Sequence, residues 1–195
     1  LQSDLEVMAM RFALLVVAGF TALVVQPQVA RAAATVIGGG FARACYEGAE
    51  FKRNVRESVA ACDRALVEES LSAKDRAATY VNRGIVRMYE RDHATAIADY
   101  DKALAIRADL AEAYVNKGIA VLHQGGNQRY AIELLSKGIG LDPARPEVAF
   151  YTRAVAHEQS GNTTLAYYDY KRAAEMKPDW EKPKSDLARF QVISD

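Results

Sequence analysis

The sequence predicts an all-α fold: a right-handed superhelical stack of helix-turn-helix repeats, an α-solenoid, with capping helices at its ends. Three observations carry this. The segment Tyr80-Val-Asn-Arg-Gly-Ile-Val86 returns, shifted by 34, as Tyr114-Val-Asn-Lys-Gly-Ile-Ala120. The set Ala96, Tyr100, Ala103 and Ala108 recurs, shifted by 35, as Ala131, Leu135, Gly138 and Pro143, then again as Ala166, Tyr170, Ala173 and Pro178. Within the copies, apolar residues fall at helical spacing, as in Tyr80, Gly84, Ile85 and Met88 and then Ile97, Tyr100, Ala103 and Leu104. A two-helix unit of this kind cannot bury its apolar face alone, so copies stack and present a continuous surface rather than a pocket.

Taken in order, the chain opens on different material. Residues 1–34 read as a secretory signal peptide: an upstream extension over 1–7, a thin basic start at Arg11, an apolar run from Phe12 to Val25, and the small-residue stretch Ala30-Arg-Ala-Ala-Ala34. Met8 or Met10 is then the start, and cleavage follows Ala32 or Ala34. The alternative is a retained anchor, but the apolar run falls short of the roughly 20 residues a spanning helix needs. A linker follows over 35–40. Its Gly38-Gly-Gly40 has no following Lys-Ser or Lys-Thr, so it is not a phosphate-binding loop.

Residues 41–76 form a helical hairpin, with helices expected over 41–48 and 55–68 and a polar joint over 71–76. It carries both cysteines of the chain. Cys45 and Cys62 lie 17 apart about a turn at Arg53 and Asn54, which sets them level in an antiparallel hairpin. In an exported protein that arrangement predicts a disulfide; buried free thiols are the alternative. The first repeat then occupies 77–110, the second 111–146 and the third 147–180, and a C-terminal capping helix and tail occupy 181–195. The small residues Gly84, Ala96 and Ala103 mark where paired helices approach closely, with Tyr80 and Tyr100 filling the space beside them.

The pattern resembles the tetratricopeptide repeat, whose period is 34 and whose order is aromatic, glycine, alanine, aromatic, proline. Tyr80, Gly84, Ala96, Tyr100 and Ala103 carry it in the first repeat. The second has Tyr114, Gly118, Ala131 and Pro143, gains one residue near Gly125-Gly-Asn127, and departs at Leu135 and Gly138. The third has Phe150, Ala154, Gly161, Ala166, Tyr170, Ala173 and Pro178. The cysteine hairpin is read as a degenerate repeat capping one end, since Cys62, Ala65 and Leu66 stand where Tyr100, Ala103 and Leu104 stand in the next. The chain thus resembles an exported bacterial member of the family with an N-terminal cysteine-containing hairpin. A helix over 181–190 caps the other end with Leu187 and Ala188.

Composition narrows the function. With 25 basic and 25 acidic side chains the chain offers no electrostatic reason to bind nucleic acid. His93, His123 and His157 lie in three different repeats with no metal-ligand spacing, so no metal, cofactor or catalytic constellation is expected; His157 reads as a satisfied structural histidine. Asn162-Thr-Thr164 fits a glycosylation sequon, but Gly161-Asn162 more simply makes a turn. Tyr167, Tyr168 and Tyr170 read as packing. Three cations recur on first helices, each with an acid at the same interval beyond it: Arg83 with Asp99, Lys117 with Glu133, and Arg153 with Asp169. These read as structural ion pairs tying each repeat's helices together.

What remains is a non-enzymatic scaffold, periplasmic or secreted, that binds a protein or peptide segment, with no membrane span once the signal is removed. The alternative is a structural protein acting through self-association, a homo-oligomer formed by an apolar end at Phe190, Val192 and Ile193. The resemblance implies that first helices line a concave groove. Its residues would be Val81, Asn82, Ile85 and Tyr89, then Val115, Asn116, Ile119 and His123, then Tyr151, Thr152, Val155 and Gln159. A carboxamide at Asn82 and Asn116 can donate to and accept from an extended backbone, or can merely satisfy nearby backbone groups. Where the chaperone-binding branch of the family begins a clamp for a C-terminal carboxylate, this chain has Val81 and Ile85, which favours an internal or apolar segment.

Overall fold

The computed structural model describes residues 11–12, 33–34, 40–190 and 192–193. The signal-peptide reading therefore falls outside the described residues except at 11–12 and 33–34. Among the described residues run nine helices: α1 (Phe41–Phe51), α2 (Val55–Glu68), α3 (Ala73–Tyr89), α4 (His93–Ile106), α5 (Ala111–His123), α6 (Gln128–Gly140), α7 (Pro146–Gln159), α8 (Thr163–Met176) and α9 (Glu181–Leu187). A two-residue antiparallel ladder joins β1 (Arg11–Phe12) to β2 (Val192–Ile193). Each helix packs on the next, and α1, α3, α5 and α7 also meet as successive first helices. The result is an all-helical repeat stack with a hairpin at one end and α9 at the other.

Short polar residues set the helix starts. The side chains of Asn54, Ser72, Asp92 and Asn127 accept from the backbone N–H groups of Glu57, Asp75, Thr95 and Tyr130, each cap contributing about 1 kcal/mol. Because Ser72 caps α3, the helix begins at Ala73 and the polar joint expected over 71–76 is shorter than its composition implies. The first hairpin helix runs on to Phe51, past the expected end at Gly48. Helix α1 lacks a cap of its own; Glu69, at the end of α2, accepts from Phe41 N–H at 2.6 Å and Ala42 N–H at 3.2 Å. Gly40, at φ 80°, turns the chain into that contact in a conformation few other residues adopt.

Close helix approach is clearest at Gly84. A Cβ there would fall 2.5 Å from Tyr100 Cε1, so only glycine lets α4 seat its tyrosine against α3. The main core runs from Ala42 in α1 through Val81, Ile85 and Tyr100 to Val115, Leu135 and Ala149. The C-terminal end has its own cluster, in which Leu187 and Phe190 pack on Ala154, Ala166 and Tyr170. Cys45 and Cys62 join α1 to α2 with their Cα atoms 4.7 Å apart.

Candidate functional site

The asparagine position of the first helices holds the most telling contact. Asn82 sits in mid-α3, fully buried. Its Oδ1 accepts from Ala34 N–H and its Nδ2 donates to the Ala34 carbonyl, each at 3.0 Å. One carboxamide thus completes the pairing of one backbone residue, as a neighbouring strand would. Left unpaired, each buried group would cost about 1–3 kcal/mol. Ala34 is itself 8% exposed and joins the main core, with Ala33 packed beside it.

The equivalent positions in the next two repeats turn inward on their own helices. Asn116 Nδ2 donates to the Glu112 carbonyl at 2.8 Å, and Thr152 Oγ1 donates to the Val148 carbonyl at 2.9 Å. The row of polar residues is therefore used differently along the stack, and the contact with a non-helical segment is at Asn82.

The apolar residues assigned to the groove need correction. Val81, Ile85, Val115 and Ile119 are at most 2% exposed and belong to the main core, together with residues of several helices and with Ala33 and Ala34. Tyr89 is partly buried and donates to the Ala49 carbonyl of α1 at 2.5 Å. His123 stacks on His93 with ring centroids 5.9 Å apart; burial lowers both imidazole pKa values, Arg91 adding to it for His93 and His93 adding to it for His123. Tyr151 faces the C-terminal cap, donating to Asp186 at 2.9 Å beneath Trp180. Val155 is half-buried and Gln159 is exposed.

The cation positions form three charge clusters that reach farther than a single repeat. Arg83 grips Asp99 through two bonds, Nε to Oδ2 at 2.8 Å and Nη2 to Oδ1 at 2.6 Å, and reaches Asp63 on α2 at 2.6 Å. Burial pulls its pKa down, but the bonds to Asp99 and Asp63 outweigh that and raise it. Arg153 makes the same two-bond contact with Asp169 and also donates to Ser136 on α6. Lys117 does not pair with Glu133: its ammonium meets Asp101 on α4 at 2.5 Å, while Glu133 is exposed. The extra residue in the α5–α6 turn alters the register, and a lysine makes a point contact where arginine spans two partners. Each cation therefore reaches the unit before it, and the two arginines also tie together the two helices of their own repeat.

His157 also departs from expectation. It is buried, but its Nδ1 has no hydrogen-bond partner and its Nε2 lies 3.9 Å from Asp169. Burial lowers its pKa against the pull of Asp169. Among the described residues no group of three or more His, Cys, Asp or Glu side chains is placed to hold a metal, and no helix is long and apolar enough to cross a membrane. Phe190, assigned to an exposed apolar end, lies against Tyr167 and Tyr170.

By sequence, the chain matches no protein-family model and no curated protein. By fold it is similar to MamA. A crystal structure of MamA superposes with a TM-score of 0.58 at 20% identity, covering 71% of this chain and 80% of that one. The "MamA RS-1 ArsTM double mutant" gives 0.60 at 16%, covering 76% and 82%, and a further MamA crystal structure 0.59 at 19%, covering 75% and 79%. The likeness is one of fold. It supports the tetratricopeptide-type stack and carries no ligand or activity across.

Proposed function

We propose that this chain is an exported, non-enzymatic interaction scaffold that holds an extended peptide or protein segment against its first helices, with Asn82 as the anchoring residue. The observation that carries the reading is the paired contact of the Asn82 carboxamide with both backbone groups of Ala34. That contact uses no side-chain chemistry of the bound residue, so it suits a segment recognised by its extended backbone, as in strand addition. The absence of any recognisable reacting group in the sequence points away from catalysis. Export rests on the basic, apolar and small-residue order of residues 8–34.

The test is an array of overlapping extended peptides, probed with the full chain and with Asn82→Ala, and thermal unfolding of both proteins in parallel. Two backbone bonds at about 1 kcal/mol each predict a loss of affinity of about tenfold or more for the variant. Undiminished affinity with an intact fold removes Asn82 from the site.

A further inference from the structure

The occupant of the Asn82 site is a segment of the same chain, 48 residues away in sequence. We infer that Ala33–Ala34 is a built-in plug that competes with any external segment for Asn82, and that the site admits a residue with a small side chain at this point. This deepens the scaffold reading and rests on it. Three features converge. Both hydrogen-bonding groups of the Asn82 side chain are taken by Ala34. The methyl group of Ala34 is buried in the main core, where a larger side chain would have to displace packed residues. Only the short stretch 35–39 separates the plug from Gly40 at the head of α1.

A tether that short holds its end at an effective concentration on the order of millimolar. An external segment of micromolar affinity is thereby shut out until the plug leaves, while a tighter one replaces it. Of the two expected cleavage points, that after Ala32 keeps the plug and that after Ala34 removes it.

The experiment uses the full chain and two plug variants. Ala34→Pro removes the N–H that Asn82 accepts; Ala34→Arg places a long side chain where only a methyl fits. Ala34 is not in a helix, and circular dichroism checks that the stack is intact. The probe is a fluorescein-labelled peptide of residues 29–36, measured by anisotropy. We expect both variants to bind it about tenfold or more tightly than the unsubstituted chain, with the gain lost when Asn82→Ala is added. An arginine variant of the peptide, at the position of Ala34, should not bind any of the proteins. Equal binding by plug variants and unsubstituted chain overturns the plug. If in that case Asn82→Ala still weakens binding, the scaffold reading stands and only self-occupancy fails; if no protein binds any peptide, both fail.

Discussion

The first and third repeats place the same kinds of residue at equivalent points, and they solve the same packing problem differently. In the first, Asp99 is fully buried and held by two arginines, Arg83 with two bonds and Arg87 at 2.6 Å. In the third, Asp169 has Arg153, and the place of Arg87 is taken by His157, which stays 3.9 Å away. Gly84 lies against Tyr100 with no room for a methyl group, whereas Ala154 carries one beside Tyr170. The Tyr100 hydroxyl is buried without a partner; that of Tyr170 donates to Glu158 at 2.8 Å, which Arg189 also holds. The first repeat is enclosed by the cysteine hairpin and the second repeat, so its space is fixed. The third packs on the second repeat on one side but is closed on the other by the short helix α9 and its following turn, whose aromatic and charged side chains can adapt to it.

Removing the central acid should expose this difference most. Asp99→Ala removes the fully buried acid that Arg83 and Arg87 share, leaving Arg83, 11% exposed, with Asp63 alone, and should cost about 3–5 kcal/mol, whereas Asp169→Ala strips only Arg153, one-fifth exposed and able to reach water, for a smaller loss of about 1–3 kcal/mol. Urea unfolding of both variants decides between these outcomes. Equal losses would mean that enclosure does not set the strength of these clusters, and a double-mutant cycle on Arg83 and Asp99 showing no coupling would falsify their pairing.

Acid should separate the two repeats next. His157 stands in the third repeat where the first has Arg87, and its folded pKa lies below the ordinary value of about 6.5 because it is buried. The unfolded chain then binds the proton first, so stability rises with pH across this window. The contribution is complete above about pH 6.5 and is lost as pH falls through the unfolded value towards the folded one. The shifts of His93 and His123 have the same sign. We expect amide protection in α7 and α8 to fall between pH 7.5 and 5.5 relative to α1 and α2, which hold no histidine, and His157→Gln to flatten that fall. No change in the variant's profile would assign the pH effect to the other two histidines.

These contrasts also show what the sequence could reveal. The stack was legible because each pair of helices repeats its small and large core residues at a nearly constant interval, and periodicity survives the loss of any one residue. The burial of Val81, Ile85, Val115 and Ile119 was not, because helical spacing identifies an apolar face without saying which neighbour covers it. Lys117 shows a related limit: a fixed interval locates an acid on the same repeat, but the cation also borders the preceding repeat, where Asp101 lies. The occupant of Asn82 had no signal at all. Ala33 and Ala34 lie in a stretch whose composition reads as a processing region, outside the repeat, and no periodicity links them to α3.

The smallest effect bears most directly on the contrast, since it changes one oxygen in each repeat. Tyr100→Phe removes a hydroxyl that is buried beside Asp99 with no partner; burial and that carboxylate together hold its pKa well above the ordinary tyrosine range. The native chain already bears the cost of desolvating that hydroxyl, so its removal should stabilise by about 1 kcal/mol. Tyr170→Phe removes a donor to Glu158 and should destabilise by about the same amount, with Arg189 still holding the carboxylate. The ring and its packing are unchanged in both, so the shift in urea midpoint reports the hydroxyl alone. Opposite signs would establish that the enclosed repeat tolerates an unpaired polar atom which the terminal repeat has resolved through its cap. A loss in both would mean that the Tyr100 hydroxyl finds a partner in solution and that the first repeat is wetter than its packing implies.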